Sequence, residues 1–282
     1  MHPIVSLNWR NTMAGLEQLK EGWDAFASSY DEGITPFSTK VAESALNLVG
    51  LTAGAELLDI ASGGGALSIP AARRGANVTA IDFSTAMVEL LNAKAAQAGL
   101  QDLTAYEMDG TALEFEDEKF DLACSQWGIM LFPDRKPALR EMRRVTKKGG
   151  RGMMVVFGPP QQVPMFSLGF QALHLAVPAF TPPANSPLFS LQDPSRLKSE
   201  LEEAGFSDVR IASQVHHMTV ASAESLWNTL EHSAPAAAGL LQQFSDAQKA
   251  AAVAKLGDLL RDRFGEAPYQ LPATTHVGIG TK

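Results

Sequence analysis

The chain has 282 residues, 45% hydrophobic and 19% charged, a composition that supports one large core with appended segments. Its 23 Lys and Arg residues against 31 Asp and Glu give a net charge of -8, and without a basic cluster we expect no nucleic-acid partner. Cys124 is the only cysteine, which excludes an internal disulfide and a cysteine-based zinc site. Residues 1–11 lack a signal-peptide pattern and no apolar run reaches ~18 residues, so we expect a cytoplasmic protein without a membrane span.

Two helices are expected before the first strand, over residues 16–30 and 39–49. From residue 54 to 213, short β-like runs alternate with helical patterns, which indicates a parallel sheet covered by helices. The predicted strands are 56–60, 77–81, 103–107, 120–124 and 152–157, with helices over 67–74, 84–98 and 137–146. We expect Ser84 to cap a helix N-terminus, and Gly99 and Gly149 to follow helix C-termini.

Two segments interrupt this alternation: residues 159–192, rich in proline and large apolar residues, and residues 222–268, alanine-rich and helical. A last strand is predicted over 274–280. The fold class is therefore α/β, a Rossmann-like, seven-stranded, mostly parallel sheet built from residues 1–158, 193–221 and 269–282, with helices within 13–49 covering the site. The two segments are expected to be cap insertions that form a substrate pocket. Mutual packing, or a homodimer contact, would explain their apolar composition equally well.

A glycine-rich turn follows the first predicted strand, in the run Leu58-Asp59-Ile60-Ala61-Ser62-Gly63-Gly64-Gly65-Ala66-Leu67. Glycines let a ligand approach bare backbone, although close packing of strand and helix would also explain them. Acids stand at the ends of three successive strands: Asp59, Asp82 and Asp109. At such positions Asp82 can accept hydrogen bonds from ribose hydroxyls, and Asp109 can reach an adenine amino group.

The ligand of this turn is either a nicotinamide dinucleotide or a sulfonium methyl donor. The dinucleotide pattern needs a third glycine where Ser68 stands, and Asp59 would repel a pyrophosphate. A sulfonium ligand with an α-amino group is attracted by a carboxylate, so the methyl donor is preferred. An NAD(P)-dependent oxidoreductase is the alternative enzyme, and a non-catalytic protein that binds the donor is a third hypothesis.

Three runs resemble class I S-adenosylmethionine-dependent methyltransferases. The run from Asp59 to Gly65 resembles their Asp-x-Gly-x-Gly-x-Gly motif, with Ala61 in place of the first glycine. Residues 120–134 resemble their fourth-strand motif, and residues 138–150 resemble the helix and turn before strand five, with Lys148 in place of a proline. The likeness is greatest to the ubiquinone and menaquinone C-methyltransferase (methyltransferase type 11) group. It covers residues 30–157 well, 193–209 moderately and the caps hardly.

This resemblance implies S-adenosyl-L-methionine as cofactor, S-adenosyl-L-homocysteine as product, and direct displacement onto a small, partly apolar acceptor of aromatic, quinone-like or other secondary-metabolite type. The residues that it assigns to the cofactor are Tyr30, Asp59, Ala61, Ser62, Gly63, Gly65, Asp82, Phe83, Met87, Asp109, Gly110, Thr111, Ser125 and Gln126. Packing on a helix face would explain Tyr30 and Met87 about as well. Methylation at carbon, nitrogen and oxygen all stay open.

The substrate site is expected to include Trp127, Phe170 and His174, with His174 as the candidate base. A lone histidine among apolar residues is also commonly a packing residue. His216 and His217 lie in a predicted strand and would point to opposite faces, so at most one could reach a cavity. No metal is expected, because the sequence shows no clear ligand cluster.

Overall fold

The computed structural model describes residues 19–182, 186–232 and 235–282. A seven-stranded sheet with the order β3-β2-β1-β4-β5-β7-β6 forms its centre. Strands β1 to β5 are parallel, and β7 runs antiparallel between β5 and β6. The strands are β1 (Glu56–Ile60), β2 (Asn77–Asp82), β3 (Leu103–Glu107), β4 (Phe120–Gln126), β5 (Thr146–Phe157), β6 (Ser207–Val220) and β7 (Tyr269–Thr281). The predicted Rossmann-like α/β fold is confirmed.

Ten α-helices surround the sheet in the described part of the chain. They are α1 (Lys20–Gly33), α2 (Thr35–Val49), α3 (Ser68–Arg73), α4 (Thr85–Gln97), α5 (Arg135–Val145), α6 (Pro164–Ala176), α7 (Pro194–Glu203), α8 (Ala223–His232), α9 (Pro235–Leu241) and α10 (Asp246–Phe264). Residues 16–18 of the first predicted helix lie outside the described residues. Within the described ranges, no helix is long and apolar enough to cross a membrane.

The central strands are buried because helices cover both faces of the sheet. Leu57, Leu58 and Ile60 of β1 are completely buried, as the apolar run predicts for a parallel strand. Ser84 caps α4 as expected, since its Oγ accepts a hydrogen bond from the Met87 N–H. Gly99 follows the end of α4 at φ +68°, a conformation that suits glycine. Ser84 and Gly99 thus mark the two ends of α4, between β2 and β3.

The prediction for Gly149 was wrong. Helix α5 ends at Val145, and β5 begins at Thr146 rather than at residue 152. Thr146 has extended backbone angles (φ −71°, ψ 135°), which end the helix there, and its hydroxyl donates to the Met142 carbonyl oxygen at 2.7 Å. Gly149 therefore lies inside β5, at φ +76°, where its N–H donates to the Lys282 carbonyl oxygen at the end of the sheet.

The remaining differences are extensions of predicted elements. Strand β7 starts at Tyr269, earlier than residue 274, because it pairs with β6 along nearly its whole length. Helix α2 starts at Thr35, with Pro36 in its first turn, where the missing N–H of proline costs no hydrogen bond. Helices α6, α8 and α10, which come from the two interrupting segments, pack against one another.

Candidate active site

A cavity of about 600 Å³ lies at the carboxyl edge of β1 to β4, and residues of α1 and α2 form part of its wall. This edge is where parallel α/β sheets bind ligands, because the turns that leave the strands diverge there. Thirteen residues predicted for the cofactor or the substrate line it: Tyr30, Asp59, Ala61, Ser62, Gly63, Asp82, Phe83, Met87, Asp109, Gly110, Thr111, Gln126 and Trp127.

Two predicted cofactor residues shape this cavity from behind and do not line it. Gly65 has φ +87°, and a Cβ there would lie 2.2 Å from Leu91 Cδ1, so Gly65 allows α4 to pack closely. Ser125 is buried, and its Oγ accepts a hydrogen bond from the Ile129 N–H at 3.1 Å. Both residues support the turns that carry their neighbours.

The structure corrects the expectations for Phe170 and His174. Neither residue lines this cavity or the smaller apolar space that adjoins it. His174 lies near the C-terminus of α6 and is exposed. Its Nδ1 lies 2.6 Å from the Phe180 carbonyl oxygen, so the ring is engaged with its own loop. His174 is therefore not placed to act as a base on a ligand in this cavity. His216 and His217 of β6 also lie outside the cavity lining.

Asp82, at the end of β2, holds the glycine-rich turn in place. Its carboxylate accepts hydrogen bonds from the Gly63 N–H at 2.8 Å and the Ser84 N–H at 3.0 Å. Burial raises the pKa of Asp82 to about 6, although these backbone donors favour the ionised form. The acid thus joins the turn after β1 to the turn after β2, and its side chain lines the cavity between them.

Asp59 lies deeper, with 1% of its surface exposed. The Ser68 hydroxyl donates to its Oδ2 at 2.6 Å, which gives a role to the serine that stands at the third glycine position. Burial, reinforced by the charge of Asp82, raises the pKa of Asp59 to about 7. A cationic ligand would favour the ionised form of this carboxyl group, whereas an anionic one would oppose it. Asp59 therefore fits a sulfonium or ammonium group better than a pyrophosphate.

The turn between Asp59 and the glycines contains a strained residue. Ala61 has φ +57°, in the left-handed region that glycine adopts at low cost. Glycine, the residue of the Asp-x-Gly-x-Gly-x-Gly motif at this position, would adopt this conformation at lower cost than alanine. Ala61 keeps the same turn. A Cβ on Gly128 would lie only 2.5 Å from the Ala61 Cβ, so the two backbones approach closely here.

At the far end of the cavity, Asp109 follows β3 and is exposed. Its Oδ1 accepts a hydrogen bond from the Thr111 N–H at 2.8 Å, which shapes the loop after the strand. A Cβ on Gly110 would lie 2.9 Å from Ile60 Cγ2 and 3.1 Å from the Phe132 ring. With Phe83 and Met108, these residues form a narrow apolar slot with an acid at its mouth. Sequence reasoning missed Met108 and Phe132.

Helix α1 is tied onto the rim of the cavity by charged and polar side chains. Asp24 Oδ1 accepts hydrogen bonds from the Ser84 hydroxyl at 2.6 Å and the Ala86 N–H at 3.1 Å. Lys20 forms an ion pair with Glu107 at the end of β3. Because α1 carries Tyr30, which lines the cavity, these ties position that ring over the site.

A smaller, mostly apolar extension of about 60 Å³, here called the annex, adjoins the main cavity. Trp23, Tyr30, Trp127 and Leu131 line both spaces. The other residues of the annex come from the start of α2, from β5, from helices α6, α8 and α9, and from a 3-10 turn at Pro187–Phe189: Ile34, Phe37, Phe157, Met165, Phe166, Leu188, Thr229, Leu230 and Ala237. Tyr30 is its only titratable lining residue among those described, and burial raises the pKa of the Tyr30 hydroxyl.

Four buried polar side-chain atoms around the main cavity have no hydrogen-bond partner among the described residues. They are Thr35 Oγ1, Ser62 Oγ, Gln126 Oε1 and Trp127 Nε1. The Gln126 amide nitrogen is already used, since it donates to the hydroxyl and carbonyl oxygens of Ser38. Buried polar atoms are normally paired, so these four fit a polar ligand that supplies both donors and acceptors. An adenosyl amino acid carries both kinds of group.

No group of three or more His, Cys, Asp and Glu side chains in the described ranges has the arrangement of a metal site. Three acids of the cavity accept hydrogen bonds from different partners. Asp59 accepts from the Ser68 hydroxyl, Asp82 from the glycine-rich turn, and Asp109 from its own loop.

Comparisons with known proteins agree with this geometry. Residues 58–154 match the family model described as a methyltransferase domain. An uncharacterized protein of Mycobacterium tuberculosis is 40% identical over 101 residues, so the match spans 36% of each chain. The computed fold is also similar to phosphoethanolamine N-methyltransferase 2 of Haemonchus contortus, solved with S-adenosylhomocysteine, at a TM-score of 0.55 and 19% identity. That alignment covers 100% of this chain and 61% of the other, and it supports the fold.

Two relatives match over longer stretches. Demethylmenaquinone methyltransferase of Renibacterium salmoninarum is 31% identical over 174 residues, 58% of this chain and 71% of the relative. Nocamycin O-methyltransferase of Saccharothrix syringae is 30% identical over 217 residues, 72% of this chain and 78% of the relative. Because these matches cover more than two thirds of both relatives, the chain belongs to the class I S-adenosylmethionine-dependent methyltransferases.

Proposed function

We propose that this protein transfers the methyl group of S-adenosylmethionine directly to a small, partly apolar organic acceptor. The observation that carries the proposal is the meeting of two different spaces at Trp127. On one side lies the main cavity with its acids and glycine turn, and on the other lies the apolar annex. A methyl donor in the main cavity and an acceptor whose apolar end reaches into the annex would meet at this boundary.

The chemistry of its wall supports the main cavity as the donor site. The methionine part would lie along Ser62 and Gly63, where the unpaired Ser62 hydroxyl is available, and the ribose would meet Asp82. The adenine would enter the slot formed by Gly110 and Phe132, with Asp109 at the amino group. Asp59 contributes negative potential behind the turn, which favours a ligand that carries a sulfonium charge.

The lining of the annex supports an apolar class of acceptor. Its lining is aromatic and aliphatic, so burial of an apolar body drives acceptor binding. The carboxyl groups line only the main cavity, Tyr30 lines both spaces, and no described lysine, arginine or histidine lines either one. The acceptor therefore has to bring a nucleophile that is already electron-rich, such as an ionised phenol, an enolate or a neutral amine.

In the transfer step, a bond forms between the acceptor atom and the methyl carbon while the carbon–sulfur bond breaks. The electron pair of that bond returns to sulfur, which gives neutral S-adenosylhomocysteine. The protein's contribution is to align the two molecules nearly in line, with the acceptor atom ~3 Å from the methyl carbon. Exclusion of water by α1 and the cap helices keeps the acceptor as the attacking group. The names of the two longer relatives, for demethylmenaquinone and nocamycin, support organic small molecules as acceptors.

The proposal is tested by transfer of a radiolabelled methyl group. Purified protein is incubated with methyl-labelled S-adenosylmethionine and a panel of phenols, hydroquinones, cyclic diketones and aliphatic amines. We expect labelled product from ring-bearing acceptors, lost in Asp82→Asn and retained in Asp102→Asn. Asp102 is the matched control because it is exposed at the opposite, amino end of β3. Labelling confined to fully polar amines would contradict the acceptor class. Donor binding without any transfer would support the non-catalytic hypothesis.

A further inference from the structure

We propose that the indole N–H of Trp127 donates a hydrogen bond to an oxygen atom of the acceptor, which selects flat apolar molecules that carry a hydroxyl or carbonyl oxygen. This inference rests on the proposed function and concerns the recognition of the acceptor. It follows from the position, the isolation and the rigidity of one side chain.

Trp127 is at the boundary of the two spaces and lines both of them. Only 6% of its surface is exposed, and Nε1 has no hydrogen-bond partner among the described residues. The other three unpaired atoms of the site, on Thr35, Ser62 and Gln126, line the main cavity and not the annex. Among the described residues, Trp127 is therefore the one that lines both spaces and also carries a buried polar atom without a partner. A buried donor that stays unpaired is unfavourable, so a ligand oxygen that pairs with it gains affinity.

The ring cannot turn readily to find another partner. It stacks on Phe157 with ring centroids 4.3 Å apart and an interplanar angle of 19°. It also stacks on Phe37, with ring centroids 5.9 Å apart and an interplanar angle of 25°. The Trp127 backbone N–H donates to the Val155 carbonyl oxygen at 2.9 Å, and φ is +58°, so the backbone is fixed as well. A donor held in this way is pre-organised, and little conformational entropy is lost when an acceptor binds.

The surroundings make an oxygen the matching group. The described residues that line the annex offer aromatic rings, aliphatic side chains, the Thr229 hydroxyl and the Tyr30 hydroxyl, and no cationic side chain. An acceptor with a second N–H or an ammonium group would leave two donors facing each other at Trp127. A carbonyl, phenol or enolate oxygen would instead accept a hydrogen bond from the Trp127 indole N–H, while the apolar part of the acceptor contacts Phe157 and Phe166.

The test observes the indole directly by nuclear magnetic resonance. The chain has four tryptophans, so the 15N-labelled protein gives at most four indole signals, and the one missing in Trp127→Phe belongs to Trp127. The protein is first saturated with S-adenosylhomocysteine, and that binding is measured separately by calorimetry. It is then titrated with 4-ethylphenol, or with ethylbenzene as the matched probe without oxygen. Phenylalanine keeps an aromatic ring in the stack but removes the N–H together with one ring of the indole, so ethylbenzene binding to Trp127→Phe measures the effect of the lost volume alone.

We expect 4-ethylphenol to move the Trp127 indole proton downfield, and ethylbenzene to leave it without a downfield shift. Trp127→Phe should weaken binding of 4-ethylphenol about tenfold more than binding of ethylbenzene, since only the phenol loses a hydrogen bond. Equal binding of both probes to both proteins would overturn the inference. A downfield shift already complete with S-adenosylhomocysteine alone would also overturn it, because the donor would then be the partner. Failure to bind S-adenosylhomocysteine would instead refute the proposed function, so the two failures are distinguishable.

Discussion

Lys94 of α4 and Asp31 of α1 form an ion pair of 2.5 Å beside the glycine-rich turn. The same ammonium group donates to the Gly64 carbonyl oxygen at 2.8 Å. A Cβ on Gly64 would lie 2.6 Å from Asp31 Oδ1, so the absence of a side chain there lets α1 come this close. One lysine thus joins the helix that covers the cavity to the turn that would hold the donor.

Loss of this pair should loosen α1. In Asp31→Asn we expect S-adenosylhomocysteine to dissociate roughly 3- to 10-fold faster, because a partly buried ion pair of this kind contributes ~1 kcal/mol. Stopped-flow tryptophan fluorescence measures the rate. Lys198→Gln breaks the exposed pair with Glu202 on α7, far from the cavity, and should leave it unchanged. Equal rates in wild type and Asp31→Asn would show that α1 does not control donor release.

Donor affinity should depend on pH through Asp59. Its pKa is raised to about 7 without ligand, and the donor cation favours the ionised carboxylate. Protonation as the pH falls below 7 should therefore weaken S-adenosylmethionine binding, by at most about tenfold per pH unit. Calorimetry from pH 8 to pH 6 tests this, with neutral S-adenosylhomocysteine as the comparison that should change less. An affinity independent of pH over this range would mean that Asp59 does not interact with the donor charge.

The same carboxyl group should destabilise the ligand-free protein at high pH. The folded pKa lies above the unfolded value, so the folded state binds more protons and its free energy of unfolding falls as the pH rises from about 4 to about 7. Asp59→Asn removes that charge and should be more stable than wild type at pH 8, by roughly 1–3 kcal/mol. The advantage should shrink toward pH 4. Urea unfolding at pH 8 and pH 4 measures the free energy of unfolding of both proteins. If Asp59→Asn is less stable than wild type at pH 8, the argument is refuted.

Acceptor binding should depend on the annex and not on the end of α6. Phe166→Ala removes an annex wall that contacts Phe157 edge-to-face at 5.5 Å, and should raise the acceptor KM about tenfold or more with donor affinity unchanged. Phe170→Ala, one turn further along α6, is the matched control because Phe170 lines neither space. Steady-state kinetics with any acceptor found in the labelling screen measures both. A larger effect in Phe170→Ala would place the acceptor elsewhere.

The residues proposed for the donor could be predicted from the sequence because the glycine turn and the acids lie at the ends of consecutive strands. Asp82 and Gly63 lie at the ends of consecutive strands, and parallel strands bring their carboxyl ends to one edge of the sheet. The role of Ser68 was not readable, since a serine in place of the third glycine shows its hydrogen bond to Asp59 only when the helix is built.

The acceptor side was mostly hidden, because its residues meet only through tertiary packing. Phe157, Phe166 and Leu230 come from β5, α6 and α8, and nothing in the spacing of these residues links them. The apolar pattern of α6 correctly indicated burial but could not tell which turns face the annex. The apolar composition around His174 suggested a buried base, but His174 lies in the last turn of α6, where its side chain is exposed.

The most direct test of the account is calorimetric titration of the wild-type protein with S-adenosylmethionine, S-adenosylhomocysteine and NADH. The account predicts micromolar-range binding of both adenosyl ligands, lost in Asp82→Asn, and no binding of NADH. Absence of binding by both adenosyl ligands, or binding of NADH in their place, would contradict it.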